Sequence, residues 1–210
     1  KLREIGSSDQ FLFGQQNVAC SSQAEQSALV VSDIETSVGG FPAVVGFNLA
    51  QIRNQALRGA LQVAQLRGAV LTASWEAENP ATGGKAHDTS GHAVRAILDG
   101  GKAADRWLEM LDEAGDFLGS LPGPILLRPF HENTATSYWW AAGACKPDDF
   151  VALWRLTQQR LWSRGVHNLL FVYSPAKPDR DSNGAFHTRY PGSETVDIVA
   201  FDYYGADDIS

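Results

Sequence analysis

The chain is 210 residues long, 44% hydrophobic and 20% charged, without a low-complexity tract; this is the composition of a globular protein with a sizeable core and argues for one domain. Its 17 basic and 24 acidic residues give a formal charge of −7 with no long basic run, which excludes the clustered Lys and Arg that nucleic acid or an anionic membrane would need. No apolar stretch approaches the roughly 20 residues that span a bilayer, and an opening at Lys1, without Met or a targeting segment, is what removal of a signal peptide from a secreted or periplasmic chain leaves behind.

Six short runs rich in β-branched and aromatic residues recur along the chain: 11–14, 42–47, 68–74, 124–130, 168–173 and 196–202. Runs of this kind suit strands buried on both faces, as in a parallel sheet. Helical periodicity lies between them. Leu49, Ile52, Ala56, Leu57, Ala60, Val63 and Ala64 form one apolar stripe, and Trp107, Leu108, Leu111, Ala114 and Leu118 form another. Phe150, Val151, Trp154, Leu161 and Trp162 form a third, introduced by Pro147, Asp148 and Asp149, which suit a first helical turn. Alternation of strand and helix predicts an α/β fold with crossover connections and a parallel sheet. The first strand is not followed by GxGxxG, which argues against an open dinucleotide-binding sheet.

The unusual polar and aromatic residues collect where these strands end. Gln15, Gln16 and Asn17 follow the first, and Trp75, Glu76, Glu78 and Asn79 the third. His131, Glu132 and Asn133 follow the fourth, Tyr173 and Ser174 end the fifth, and Asp202, Tyr203 and Tyr204 end the sixth. In a closed parallel barrel those ends converge on the face that carries the active site. Such a barrel has eight strands and about 250 residues, so the expectation is a single (β/α)8 domain over 1–210, C-terminally incomplete, with six of its strands present.

The densest segment is 123–140, GPILLRPFHENTATSYWW. Strand alternation puts Arg128, Phe130 and Glu132 on one side. Arg128 and Glu132 at the end of a buried strand are either a self-satisfying ion pair or a carboxyl tuned for general acid work. Other chemistries find less support. His131 and Glu132 lack the second His of HExxH, position 135 being Ala, and His87, His92, His167 and His187 make no recognised ligand spacing. No GxSxG elbow is present, and Cys20 and Cys145 lack an evident His partner; they are either one disulfide or two separate thiols.

RPFHEN followed by a Trp-Trp pair resembles the β-mannanase family of glycoside hydrolases, family 26. FGQQ, PAVVGFNL, SWEAENPATGG and YPGSETVDIVAFDYYG agree with it in barrel order, so the resemblance covers essentially the whole chain. It implies a TIM barrel, a secreted monomer without cofactor or metal, and retaining endo-hydrolysis of mannan-type polysaccharide. Glu132 would be the general acid/base, His131 the neighbour that orients it or the substrate, and Arg128 a strand-four arginine near the nucleophile. Trp75, Asn79, Trp139, Trp140 and Tyr173 would line the sugar subsites. Glu76 is a further acidic group at the site, and Asp202 and Tyr204 fill the family's Asp-x-Tyr positions. The nucleophile glutamate belongs at the end of a seventh strand, beyond residue 210. Similar enzymes commonly carry His at the positions of Gln15 and Glu76 and Trp at that of Ser137, which loosens the expectation of strict mannan preference. A carbohydrate-binding barrel without turnover and a mixed-linkage β-glucanase are the alternatives.

Overall fold

The computed structural model describes residues 4, 7–9, 11–16, 35, 37, 39–177 and 183–203; Asn17, Cys20 and Tyr204 lie outside them. Six strands, β1 (Gly14–Gln16), β2 (Val44–Asn48), β3 (Val70–Ser74), β4 (Ile125–Arg128), β5 (Leu169–Tyr173) and β6 (Ile198–Val199), pair in chain order into one sheet. Every pairing is parallel. The connections carry α1 (Gln55–Leu66), α2 (Ala93–Leu98), α3 (Lys102–Gly119), α4 (Pro147–Ser163) and α5 (Asn183–Thr188). A sheet of consecutive parallel neighbours joined by helices is the arrangement of a (β/α) barrel wall.

Period-two alternation divides the sheet into two faces. Val45, Phe47, Leu71, Ala73, Ile125, Leu127 and Phe171 are buried against the helices. Across the register, the row Asn48, Ser74, Arg128 and the row Thr72, Leu126, Leu170 occupy the opposite, half-buried face. Asn48, Ser74 and Arg128 are the last residues of their strands, so the row that holds the charge lies at the C-terminal strand ends.

The helices follow their sequence signals. Asn54 caps α1 by accepting from the Ala56 amide at 3.0 Å, a favoured N-cap arrangement. Pro147 starts α4, with Asp148 and Asp149 in its first turn. Arg160 on α4 clasps Asp112 on α3 through two bonds of 2.7 and 2.6 Å, which fixes the helices in register. Helices α2 and α5 are not expected from periodicity, because six residues are too few turns to show a stripe. Strand β6 covers less than the expected 196–202, although its ladder resumes in the Ala176–Asp202 bridge.

Trp107 on α3 joins helices to sheet. It is fully buried, lies 5.0 Å from Trp75 and 5.9 Å from Phe130, and donates its indole N–H to Thr157 on α4. Truncation therefore leaves a large cavity and an unpaired threonine hydroxyl. Trp107→Ala is expected to cost about 3–5 kcal/mol, measured as a shift in the urea unfolding midpoint at unchanged m-value.

Candidate active site

Strand β4 ends at Arg128, and the next four residues turn over the end of the sheet. The turn leaves Glu132 in the left-handed region, with φ 51°. Its amide donates to the Ser174 carbonyl beyond β5 at 2.7 Å, and its own carbonyl accepts from the Ala135 amide at 2.9 Å. The carbonyls on either side are also held. That of His131 accepts the Trp140 indole N–H at 2.9 Å, and that of Asn133 accepts the Ala142 amide at 2.9 Å.

Because the strand stops at Arg128, its alternation does not carry through to position 132. Arg128 forms its ion pair with Asp202, not with Glu132. Asp202 accepts a second bond from the Ser174 hydroxyl at 2.9 Å, and its amide donates to the Pro175 carbonyl at 2.9 Å. The ends of β4, β5 and β6 are thus linked by one charged, hydrogen-bonded knot. Burial holds the Glu132 carboxyl above the usual carboxylate range, and the negative charge of Asp202 adds to that rise; Arg128 and His87 oppose it.

His131 is buried beside this knot. Its Nε2 lies 3.2 Å from the Tyr138 hydroxyl, and its Nδ1 is buried without a hydrogen-bond partner. Desolvation, reinforced by Arg128, lowers its pKa to about 4, so the ring is neutral near pH 7. Tyr138 is clamped between two rings, stacking on Trp140 at 4.6 Å and on His87 at 4.5 Å. His87 donates from Nδ1 to the Ser137 carbonyl at 2.8 Å, the carbonyl being able only to accept. His87 and Tyr138 belong to the site although sequence spacing does not single them out. His87 stands in a polar loop far from His131 in sequence, so nothing local links the two.

The other expected site residues divide into two groups. Trp75 and Glu76 follow β3, the neighbour of β4, and line a cavity with Arg53; Glu76 is exposed, whereas Trp75 is buried and stacks on Trp107. Trp139, Trp140, Tyr173 and Asn79 instead lie in the wall beneath the face. Trp139 meets Trp107 edge-on at 5.5 Å and donates to the Ala77 carbonyl at 3.0 Å. The Tyr173 hydroxyl donates to the Phe186 carbonyl at 2.9 Å. Asn79 donates to the Asp88 and Ser90 carbonyls at 2.7 and 2.9 Å and accepts from the Ala81 amide at 2.9 Å, so its amide organises the loop after β3. Cys145 is a free thiol. Among the described residues no three His, Cys, Asp or Glu side chains converge as a metal site requires.

A sequence model of glycosyl hydrolase family 26 matches residues 2–210. The mannan endo-1,4-β-mannosidase of Bifidobacterium adolescentis is 31% identical over 238 aligned residues, which take in 99% of this chain and 23% of that protein. That of Bacillus subtilis is 32% identical over 130 residues, 56% of this chain and 35% of that protein. A family 26 β-mannanase from Bacteroides ovatus superposes with a TM-score of 0.85 at 28% identity, covering 98% of this chain and 64% of that one. The modular endo-β-1,4-mannanase of Cellulomonas fimi gives 0.84 at 28% identity, covering 92% of this chain and 48% of that one. The fold is therefore that of a TIM barrel, and the chain spans 23% of the first of these relatives.

A neutral, buried His131 has a consequence for stability. The unfolded chain takes up a proton on this ring near pH 6.5, whereas the folded chain does so only near pH 4. The unfolded state binds more protons between those values, so stability falls as pH drops through the window and levels off below it, by on the order of 3 kcal/mol in all. His131→Gln is expected to flatten that part of the curve, measured by denaturant unfolding across the window.

Proposed function

The chain belongs to glycosyl hydrolase family 26, and we propose that it forms the larger part of the catalytic barrel of a retaining endo-β-1,4-mannanase, with Glu132 as general acid/base. The observation that carries this reading is the environment of Glu132: a carboxyl just beyond the C-terminal end of a barrel strand, raised in pKa by burial and by Asp202. A carboxyl that keeps its proton to higher pH than an ordinary glutamate is better suited to give it to a leaving glycosidic oxygen.

The reaction runs in two steps. Glu132 donates its proton to the glycosidic oxygen as a second carboxylate, about 5–5.5 Å away, attacks the anomeric carbon and the C–O bond breaks. Glu132, now ionised, then takes a proton from water, whose oxygen displaces the carboxylate and releases the sugar. Asp202 is engaged by Arg128 and Ser174, which suits it to holding Arg128 rather than to attack. We therefore assign the nucleophile to a glutamate on a seventh strand outside these 210 residues, with Arg128 beside it. Residues 1–210 are then one incomplete catalytic domain. Glu76, exposed next to β4, is the group we assign to sugar contact, with Trp75 lining the same cavity; Tyr204 also contacts sugar by the resemblance of its Asp-x-Tyr motif. Secretion and a monomeric state fit an enzyme acting on an extracellular polysaccharide. No helix among the described residues is long and apolar enough to cross a membrane.

Two measurements on the full natural polypeptide test the reading. Glu132→Ala is expected to lower the rate on mannan by roughly 10²–10⁴-fold while sparing the first step on a dinitrophenyl mannoside, whose leaving group needs no proton. Equal loss on both would show that Glu132 is not the acid. The second is a pH profile. Glu132 must be protonated to act, so the basic limb follows its pKa; Asp202→Asn removes a charge that raises that pKa and releases Arg128, which lowers it. The basic limb is expected to move to lower pH, and an unmoved limb would assign it to another group.

A further inference from the structure

Arg189 follows α5 and is 1% exposed, one of the largest fully buried side chains in the molecule. Among the described residues its partners include no anion. The guanidinium donates to the Trp140 carbonyl at 2.6 Å, to the Cys145 carbonyl at 3.0 Å and to the Cys145 sulfur at 3.2 Å. Its remaining face covers the Phe150 ring at 4.4 Å, and its Nε has no hydrogen-bond partner. A buried charge satisfied by carbonyl dipoles, a thiol sulfur and a ring is a costly way to fill space, since apolar residues often replace buried ions at no loss of stability. What a guanidinium offers that an apolar group cannot is a rigid fork of directed donors.

The fork is directed at the segment that brackets the acid. Trp140 donates from its indole to the His131 carbonyl, and Ala142 donates from its amide to the Asn133 carbonyl. The carbonyls of the residues before and after Glu132 are therefore both fastened to 140–142. Arg189 secures this segment and its continuation to Cys145 through the Trp140 and Cys145 carbonyls.

We propose that Arg189 is a positioning residue for Glu132, acting through Trp140: its grip on the 140–145 turn fixes the indole that holds the His131 carbonyl, and so fixes where the acid points. This rests on the reading of Glu132 as the general acid. Positioning of a proton donor affects only reactions that need the proton, which separates it from general support of the fold.

The test uses the full natural polypeptide with Arg189→Met, which keeps the stem and removes the fork, and Trp140→Phe, which keeps a ring and removes the indole N–H. Each is assayed on mannan and on a dinitrophenyl mannoside. Both variants are expected to lose roughly ten- to a hundred-fold on mannan and to change the first step on the aryl glycoside less than about twofold, with the double variant no worse than the single ones. Equal loss on the two substrates, or wild-type rates on both, overturns the proposal. Should Arg189→Met fail to fold, Trp140→Phe alone decides it, because wild-type behaviour there breaks the link. Glu132→Ala run in parallel separates the two readings: if it shows no split between the substrates, the assignment of the acid fails; if it does and the other variants do not, only the role of Arg189 fails.

Discussion

Phe130 is ringed by five aromatic side chains. The rings of Trp107, Trp139, Trp140, Phe150 and Trp154 lie 5.8–6.3 Å from it, drawn from α3, the turn after β4, and α4. It stands two residues before Glu132. Edge-to-face and tilted rings have preferred geometries that aliphatic packing lacks, so the chain leaves the sheet at a fixed height and in a fixed direction. The turn that follows, its hydrogen bonds, and the placing of the acid over β5 all start from that anchor.

Above these rings the environment changes from apolar to charged within a few residues. Parallel strands bring all their C-terminal ends to one side, so Arg128, Ser174 and Asp202, far apart in sequence, meet at one knot. The knot influences Glu132 in opposing ways, Asp202 raising its pKa and Arg128 lowering it, with burial dominant. The same surroundings keep His131 neutral. One environment thus shifts two neighbouring titratable groups in opposite directions, as desolvation requires of an acid and a base.

Strands β2 to β5 are legible in the sequence because each is a compact apolar run, and α4 because Pro147 and its two acids mark a helix start; β1 instead forms on Gly14–Gln16, starting only at the last residue of the apolar run 11–14 expected to carry it. Their meeting at one face follows from strand order alone. What the sequence does not disclose is the depth of individual side chains. Trp139 and Trp140, lying among polar residues, look like surface platforms for sugars; their indole N–H groups in fact satisfy backbone carbonyls inside the wall. Asn79 looks like a ligand for hydroxyls and is committed to its own loop. Arg128 looks like a partner for Glu132 only while alternation is extended beyond the last residue of the strand. Arg189, in a stretch rich in polar residues, gives no sign of burial, since its partners are mainly carbonyls that any sequence supplies.

The left-handed backbone at Glu132 sets two demands against each other at one position. Glycine or asparagine would adopt that conformation at less strain, so selection for foldability alone would draw the position away from glutamate. A chain that keeps glutamate there gives up a little stability for the carboxyl. If Glu132 is the proposed general acid, its exchange for glycine or asparagine would be expected to make the protein sturdier and inactive at once.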